Sequence, residues 1–126
     1  MGIDATGIVK GIVPFADILN FVKSEFDPSA SASFKKYEYK KGVFCGTGEV
    51  NFIFNKEERR LRYYYNESVD KEEFQSYGID TEKATIFTLG AWGNSSKILT
   101  RILMHYGGGY LCESDEYGPE YKHLQP

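Results

Sequence analysis

The sequence is poor in the residues that build metal centres and disulfide frameworks. Its 126 residues include two cysteines, two histidines, two methionines and one tryptophan. A structural zinc site uses four paired Cys or His ligands, and these residues are scattered singly, so we expect no metal and no cofactor. Cys45 and Cys112 can form one disulfide at most. Without an export signal, we expect two reduced thiols in a cytoplasmic protein.

Long apolar runs and catalytic motifs are also missing from the sequence. No stretch approaches the roughly 20 apolar residues of a transmembrane helix. The first residues, MGIDATGIVKGIV, lack the basic and apolar regions of a signal peptide, so we expect no membrane association. The motifs G-x-S-x-G, H-E-x-x-H and C-x-x-C do not occur. We therefore predict a protein that is not an enzyme.

Composition predicts one globular domain over 1–126, with a polar tail over 114–126 packed on its body. Hydrophobic residues make up 41% of the chain, charged residues 26%, and the formal net charge is −3. These values are typical of a folded domain and exclude wholesale disorder. Aromatic residues are the unusual component, because ten Tyr, nine Phe and one Trp make up 16% of the sequence.

Two segments show the 3.6-residue apolar period of an amphipathic helix. The first, 13–26, has Pro14 placed for the first helical position, and the second ends at the glycines 107–109. A short extra helix is predicted over 70–78, with Asp70 as its N-cap. The apolar stripes of the two long helices are Phe15, Ile18, Leu19, Val22 and Phe26, and Ile98, Leu99, Ile102, Leu103 and Tyr106.

Alternating or β-branched segments predict six strands around these helices. They cover 3–10, 33–41, 48–55, 60–66, 83–90 and 109–114. Glycines at 42, 46 and 48 predict a bulge or bend near Cys45. Runs of strands interrupted by single helices indicate an α+β fold. We expect a mainly antiparallel β-sheet with two amphipathic helices on one face.

The first candidate surface is a basic and aromatic hairpin. Rings beside cations can stack bases and follow phosphates, which is how proteins bind single-stranded nucleic acid. The same tyrosines also suit strands that pack over a core. Ten basic and eight acidic side chains in 1–63 leave an excess of +2, which is small for a nucleic-acid binder. The residues that we select from this surface are Tyr37, Tyr39, Arg60, Arg62, Tyr63 and Tyr65.

The second candidate is the turn between the strand 83–90 and the following helix. Glycines permit close approach of a ligand, backbone N–H groups at a helix start attract anions, and Trp92 could stack on a base. The spacing matches neither common nucleotide-binding motif, and we favour an ordinary loop with an N-cap and a core tryptophan over ligand binding. The residues of this nucleotide or phosphorylated-ligand site are Gly90, Trp92, Gly93, Asn94, Ser95, Ser96 and Lys97.

The third candidate is the acidic end of the chain. Asp115 and Glu116 lie beside Tyr117 and Tyr121. Acidic side chains among rings can dock on a basic partner and accelerate association, although a solvated tail has the same composition.

The leading hypothesis is a small interaction protein that is not an enzyme. Tyrosine is enriched at protein interfaces, and this chain places its tyrosines beside charge. We expect an inhibitor or antagonist of a protein partner, in the general style of phage or prophage proteins. Homodimerisation through a tyrosine-bearing strand is a variant of this hypothesis. Nucleotide binding at 90–97 and single-stranded nucleic-acid binding at the hairpin are the alternatives.

Overall fold

The computed structural model describes residues 4–65, 75, 84–90, 94–113 and 121–126, except for the side chains of residues 4, 39 and 40. These residues form one seven-stranded antiparallel sheet and two helices. In chain order the elements are β1 (Asp4–Lys10), α1 (Phe15–Glu25), β2 (Ser31–Lys40), β3 (Val43–Phe54), β4 (Glu57–Tyr65), β5 (Ala84–Gly90), α2 (Ser95–His105), β6 (Gly109–Cys112) and β7 (Tyr121–Leu124).

The strands lie in the order β2-β3-β4-β5-β1-β6-β7. Neighbouring strands are antiparallel at each of the six pairings. Strand β1 therefore lies inside the sheet, between β5 and β6, while β2 and β7 are the outermost of the described strands. The predicted α+β class with a mainly antiparallel sheet is confirmed.

A tight turn joins β3 to β4. Asn55 and Lys56 both have positive φ, 53° and 64°, which is the backbone that two-residue hairpin turns require. The turn sets a register in which Val50 lies opposite Leu61 and Asn51 opposite Arg60. Since side chains alternate between the faces of a strand, this register places the apolar pair on one face and the polar pair on the other.

The helices cover the same face of the sheet. Ile18 and Val22 of α1 are fully buried, and Ile98 and Leu103 of α2 are buried in the same core. From the sheet this core receives Ala5, Val9, Val50, Phe52, Leu61, Tyr63, Tyr65, Phe87, Leu89 and Leu111. Both predicted helical stripes are thus confirmed as buried faces.

A second, smaller cluster lies on the opposite face of the sheet. Ile8, Ala84 and Ile86 are buried there, with Tyr64 and Tyr110 partly buried against them. Neither of the two helices buries a side chain in this cluster. We call this side the open face, in contrast to the helix face.

The structure corrects several predicted details. Pro14 precedes α1 as its N-cap residue instead of occupying the first turn. The sheet irregularity lies on β2, between Glu38 and Lys40, while β3 continues through its glycines. Part of the predicted polar tail forms β7 and pairs with β6. The predicted short helix over 70–78 lies outside the described residues, apart from Gln75.

Candidate functional site

Strand β4 divides the predicted basic and aromatic surface between the two faces of the sheet. The side chains of Arg60 and Arg62 are 60% and 49% exposed. Tyr63 and Tyr65 are only 1% and 9% exposed, because they alternate with the arginines and share a face with Leu61. The prediction that these two tyrosines form an exposed surface is therefore wrong. Rings and guanidinium groups do not lie side by side here.

Tyr63 has a structural role within the helix face. Its hydroxyl donates a hydrogen bond of 2.5 Å to the carbonyl of Val13. Burial raises the pKa of the Tyr63 phenol well above its usual value, with the nearby Tyr65 and Tyr106 adding to the effect. Phe15 and Phe87 pack around its ring with centroids 5.2 and 5.9 Å away. Tyr63 therefore contributes to the packing of the core, and its side chain is not accessible to a partner.

A broad polar groove of about 720 Å³ runs across the open face. Asn51 of β3, Arg60 and Arg62 of β4, and Thr88 and Gly90 of β5 line its central part. The register explains the grouping, since Arg60 lies opposite Asn51 and Arg62 lies opposite Thr88. The groove thus brings together Arg60 and Arg62 of the first candidate surface and Gly90 of the second. By sequence position these residues belong to two separate candidate sites.

One carboxylate neutralises the two arginines of the groove only in part. The carboxylate oxygens of Glu49 lie 3.8 Å from Nε of Arg60 and 3.9 Å from Nε of Arg62. These separations exceed hydrogen-bond length, so the pairs are loose, solvent-exposed ion pairs that contribute little stability. Two positive charges therefore face one negative charge at the middle of the groove.

Asp27 gives one end of the groove an acidic character. Its carboxylate accepts hydrogen bonds from the Ser29 hydroxyl at 2.7 Å and from the backbone N–H groups of Ser29 and Ile53 at 3.0 and 2.9 Å. These bonds, with the Ser29 hydroxyl first, lower the pKa of Asp27 below its usual value. Glu58 also lines this part of the groove. Arg59 also lines the groove, but its side chain is buried and ion-paired with Glu57 at 3.0 Å. The groove therefore has a cationic middle and an acidic end.

The predicted turn site is only partly supported by the geometry. Ser95 is 2% exposed, and its hydroxyl donates a hydrogen bond to the Gly90 carbonyl. The side chain thus closes the turn instead of facing solvent, and the role of Ser95 in ligand binding stays a prediction. Asn94 precedes α2 without capping it through its side chain. Trp92 and Gly93 lie outside the described residues.

The two remaining turn residues lie at the start of α2. Ser96 is half-buried and Lys97 is exposed. Neither residue lines the groove within the described part of the chain. Among the described residues of the predicted turn site, Gly90 alone lines the groove.

An apolar surface that sequence analysis did not select lies at the far end of the β2–β3 hairpin. Ile12, Phe34, Val43 and Phe44 are between 42% and 47% exposed. The ammonium group of Lys36 lies 5.3 Å from the centroid of the Phe44 ring. We call these five residues the hairpin patch.

A shallow depression of about 400 Å³ lies within the hairpin patch. Ile12, Lys36, Val43 and Phe44 line it, together with the edge of Tyr65. The ring of Tyr65 lies across Gly46, where a β-carbon would collide with it. Glycine at position 46 thus lets Tyr65 form the floor of the depression.

Strand β2 forms the sheet edge beside the hairpin patch. It pairs with β3 on one side and, within the described residues, has no strand on the other. Residues 31–36 are all exposed, and Tyr37 is half-buried. The side chain of Tyr39 lies outside the described part of the structure. An edge of this length is a surface on which another extended chain can pair.

The acidic candidate surface is described only at Tyr121. This residue lies in β7, opposite Cys112, and packs partly buried against the cluster of Ile8 and Ile86. Asp115, Glu116 and Tyr117 lie outside the described residues. Tyr121 therefore belongs to the sheet, while the proposed role of its acidic neighbours stays a prediction.

The described residues contain no group of three or more His, Cys, Asp and Glu side chains arranged to hold a metal. Neither described helix has the length and apolarity to cross a bilayer. Cys45 and Cys112 are both buried.

No family model, curated protein or solved structure matches this chain. Function is therefore inferred from the geometry and charge of the groove, the hairpin patch and the β2 edge.

Proposed function

We propose that the protein is a non-enzymatic interaction module that binds an extended segment of a protein partner along β2. The observation that carries the proposal is the hairpin patch beside an exposed sheet edge. This differs from the tyrosine-based surface expected from the sequence, because Tyr63 and Tyr65 belong to the core. An inhibitor or antagonist could occupy its target's binding segment in this way.

The exposed apolar residues of the hairpin patch favour burial against a partner. Phe34 and Phe44 are 42% and 47% exposed, and Val43 and Ile12 are 42% and 44% exposed. Monomeric proteins rarely leave such residues grouped at the surface unless the group has a binding role. Phe34 is also preorganised, since its ring stacks on Phe15 with centroids 4.8 Å apart. A rigid ring loses little conformational freedom when it is covered.

The β2 edge supplies the second part of the binding surface. A partner strand can hydrogen-bond to the outward backbone groups of β2, which gives affinity independent of sequence. Specificity comes from the side chains, and Lys35 and Lys36 are both exposed on this edge. We therefore propose a partner segment in which acidic residues alternate with apolar ones.

A second copy of the chain is the alternative occupant of the edge. In an antiparallel pair of β2 strands centred on Tyr37, Lys36 of each copy lies opposite Glu38 of the other, which pairs opposite charges. Lys35 and the irregularity between Glu38 and Lys40 oppose such pairing, since lysines and bulges protect edges from self-association. We therefore favour the foreign segment over the dimer.

The proposal is tested by selecting peptides from a random library with the purified protein. Acidic and apolar residues should alternate in the enriched peptides. Phe44→Ser should weaken their binding at least about tenfold, as expected for an aromatic anchor. Lys36→Glu should also weaken binding, by reversing the charge that faces the acidic residues.

Met104→Ser is the matched control, because Met104 is 38% exposed but lies on α2. Its peptide affinity should equal that of the unchanged protein. Absence of enrichment, or equal losses in Phe44→Ser and Met104→Ser, contradicts the proposal. Sedimentation of the protein alone detects the dimer, and dimer dissociation by Lys36→Glu favours the second copy instead.

A further inference from the structure

We infer that the open-face groove is a separate binding site for a small phosphomonoester whose body carries hydroxyl or amino groups, such as a nucleoside monophosphate. The inference is independent of the proposed protein interaction. The volume of the groove, about 720 Å³, lies within the usual range for small-molecule sites. Phe34 and Phe44 of the hairpin patch lie on the opposite face of the sheet from Arg60 and Arg62 of the groove.

The two arginines of β4 supply the anion-binding groups. Residues 60 and 62 are two apart on one strand, so their guanidinium groups project from the same face. Neither guanidinium hydrogen-bonds to any residue in the described part of the chain, and Glu49 contacts both only at 3.8 and 3.9 Å. The planar N–H donors of arginine match the oxygens of a phosphate, and such charge-assisted bonds are strong.

Neutral polar groups flank the arginine pair. Asn51 lies opposite Arg60 and is exposed, and Ser31 lies opposite Asn51 at the start of β2. Thr88, opposite Arg62, already shares a hydrogen bond of 3.0 Å with the Tyr64 hydroxyl. The Asn51 amide and the Ser31 hydroxyl can therefore supplement the arginines as donors to phosphate oxygens.

The acidic end of the groove restricts the class of ligand. Asp27 is held in its charged form by three hydrogen bonds, and Glu58 lies on the same side of the arginine pair. A chain of phosphates running the length of the groove would be repelled by these carboxylates. Hydroxyl or amino groups, in contrast, can donate hydrogen bonds to them. One phosphate on a polar body fits this distribution better than a polynucleotide does.

The inference is tested by titrating the protein with adenosine monophosphate and following binding by calorimetry. Adenosine serves as the probe without phosphate, and inorganic phosphate as the probe without a body. We expect adenosine monophosphate to bind more tightly than either, and salt to weaken its binding. Arg60→Gln together with Arg62→Gln should reduce its affinity at least about tenfold.

Two further variants separate this site from the alternatives. Lys97→Gln removes one exposed positive charge at the start of α2 and should leave the affinity unchanged. Glu49→Gln removes the carboxylate that competes for the arginines, so it should tighten binding by about two- to fivefold. This gain cannot arise from a loss of folding. Melting temperatures confirm that each variant is folded.

The inference is overturned if adenosine monophosphate does not bind at millimolar concentration in low salt. It is also overturned if Lys97→Gln, and not the arginine pair, abolishes binding, since the site would then lie at the turn before α2. Tighter binding of a single-stranded oligonucleotide than of the mononucleotide contradicts the restriction to one phosphate.

Discussion

The two faces of the sheet use the same strands for different purposes. On the helix face, the apolar residues of α1 and α2 close over Leu61, Tyr63 and Phe87, which are all at most 1% exposed. On the open face, the same strands present Arg60 and Arg62 to solvent around a groove. Alternation within one strand thus separates buried core side chains from exposed cationic ones by a single residue step.

The helix face itself is not uniformly covered. α1 packs against β3, and α2 packs against β1, β5, β6 and β7. At the β2–β3 hairpin, Phe34 stacks on Phe15 at the start of α1 but stays 42% exposed, and Phe44 is 47% exposed. By strand alternation, Phe34 and Phe44 of the hairpin patch lie on the side of the sheet that elsewhere forms the core. Its apolar character follows from this position, and its exposure is what suggests a partner.

The largest expected loss of stability comes from removing a large buried side chain from the helix face. Phe87→Ala removes a ring that is fully buried beneath the helices, and we expect it to lower the free energy of unfolding by about 3–5 kcal/mol. Ile53→Ala, at a residue 52% exposed on the open face, should change it by no more than about 0.5 kcal/mol. Urea unfolding measures both values. Similar losses in the two variants would contradict the burial of Phe87 in the core of the helix face.

The next largest loss of stability is expected at β5, where two threonines allow the same substitution on each face. Thr85 is fully buried, and its hydroxyl donates to the Gly11 carbonyl at 2.8 Å while accepting from the Val13 N–H at 2.9 Å. Thr85→Val leaves both backbone groups without this partner, at an expected cost of about 2–3 kcal/mol.

Thr88→Val is the same substitution on the open face. Thr88 shares one hydrogen bond with the Tyr64 hydroxyl, which is only part-buried and can turn to water. We expect a loss of about 0.5–1 kcal/mol, again measured by urea unfolding. An equal or larger loss at Thr88 than at Thr85 would show that the open face contributes to stability as strongly as the helix face.

The smallest change in stability at neutral pH is expected from substituting a tyrosine of the helix face. Burial, and secondarily the charge of Asp17, raise the pKa of Tyr106 to about 12, and burial also raises that of Tyr63. Their phenols ionise more readily in the unfolded chain than in the native state. The stability that they contribute is complete below about pH 10 and is lost as the pH rises through the native pKa values.

Unfolding by urea between pH 8 and pH 12 measures this dependence. Stability should fall above about pH 10, and Tyr106→Phe should make that fall shallower while changing stability little at neutral pH. No described residue hydrogen-bonds to the Tyr106 hydroxyl, so the substitution breaks no such bond. A dependence on pH that is identical in Tyr106→Phe would contradict the burial of this phenol.

The spacing of apolar residues, 3.6 in helices and two in strands, was sufficient to predict the helices and most strands. The stripes over Ile18–Val22 and Ile98–Leu103 are buried as expected. Strand β7 was missed because its four residues are polar and short, and they form a strand only by pairing with β6. Tertiary pairing here overrides weak local preference.

The separation of Arg60 and Arg62 from Tyr63 and Tyr65 was also within reach of the sequence. Leu61 is the aliphatic residue of this strand, and residues two and four positions after it share its face. This two-residue spacing predicts that Tyr63 and Tyr65 are buried with Leu61 and that Arg60 and Arg62 are exposed.

The groove could not be predicted from the sequence, because it depends on β4 and β5 lying side by side after a long connection. The hairpin patch could not be predicted either. Period alone does not say which strands a helix covers, and α1 and α2 each have only 11 residues.

The central claim is that the hairpin patch, and not the open face, binds the protein partner. The most direct measurement compares proteins that co-purify with tagged protein, with Phe44→Ser, and with the Arg60→Gln/Arg62→Gln variant, quantified by mass spectrometry. We predict that Phe44→Ser loses the partner while the arginine variant retains it. Retention of the partner by Phe44→Ser and its loss by the arginine variant would contradict the account.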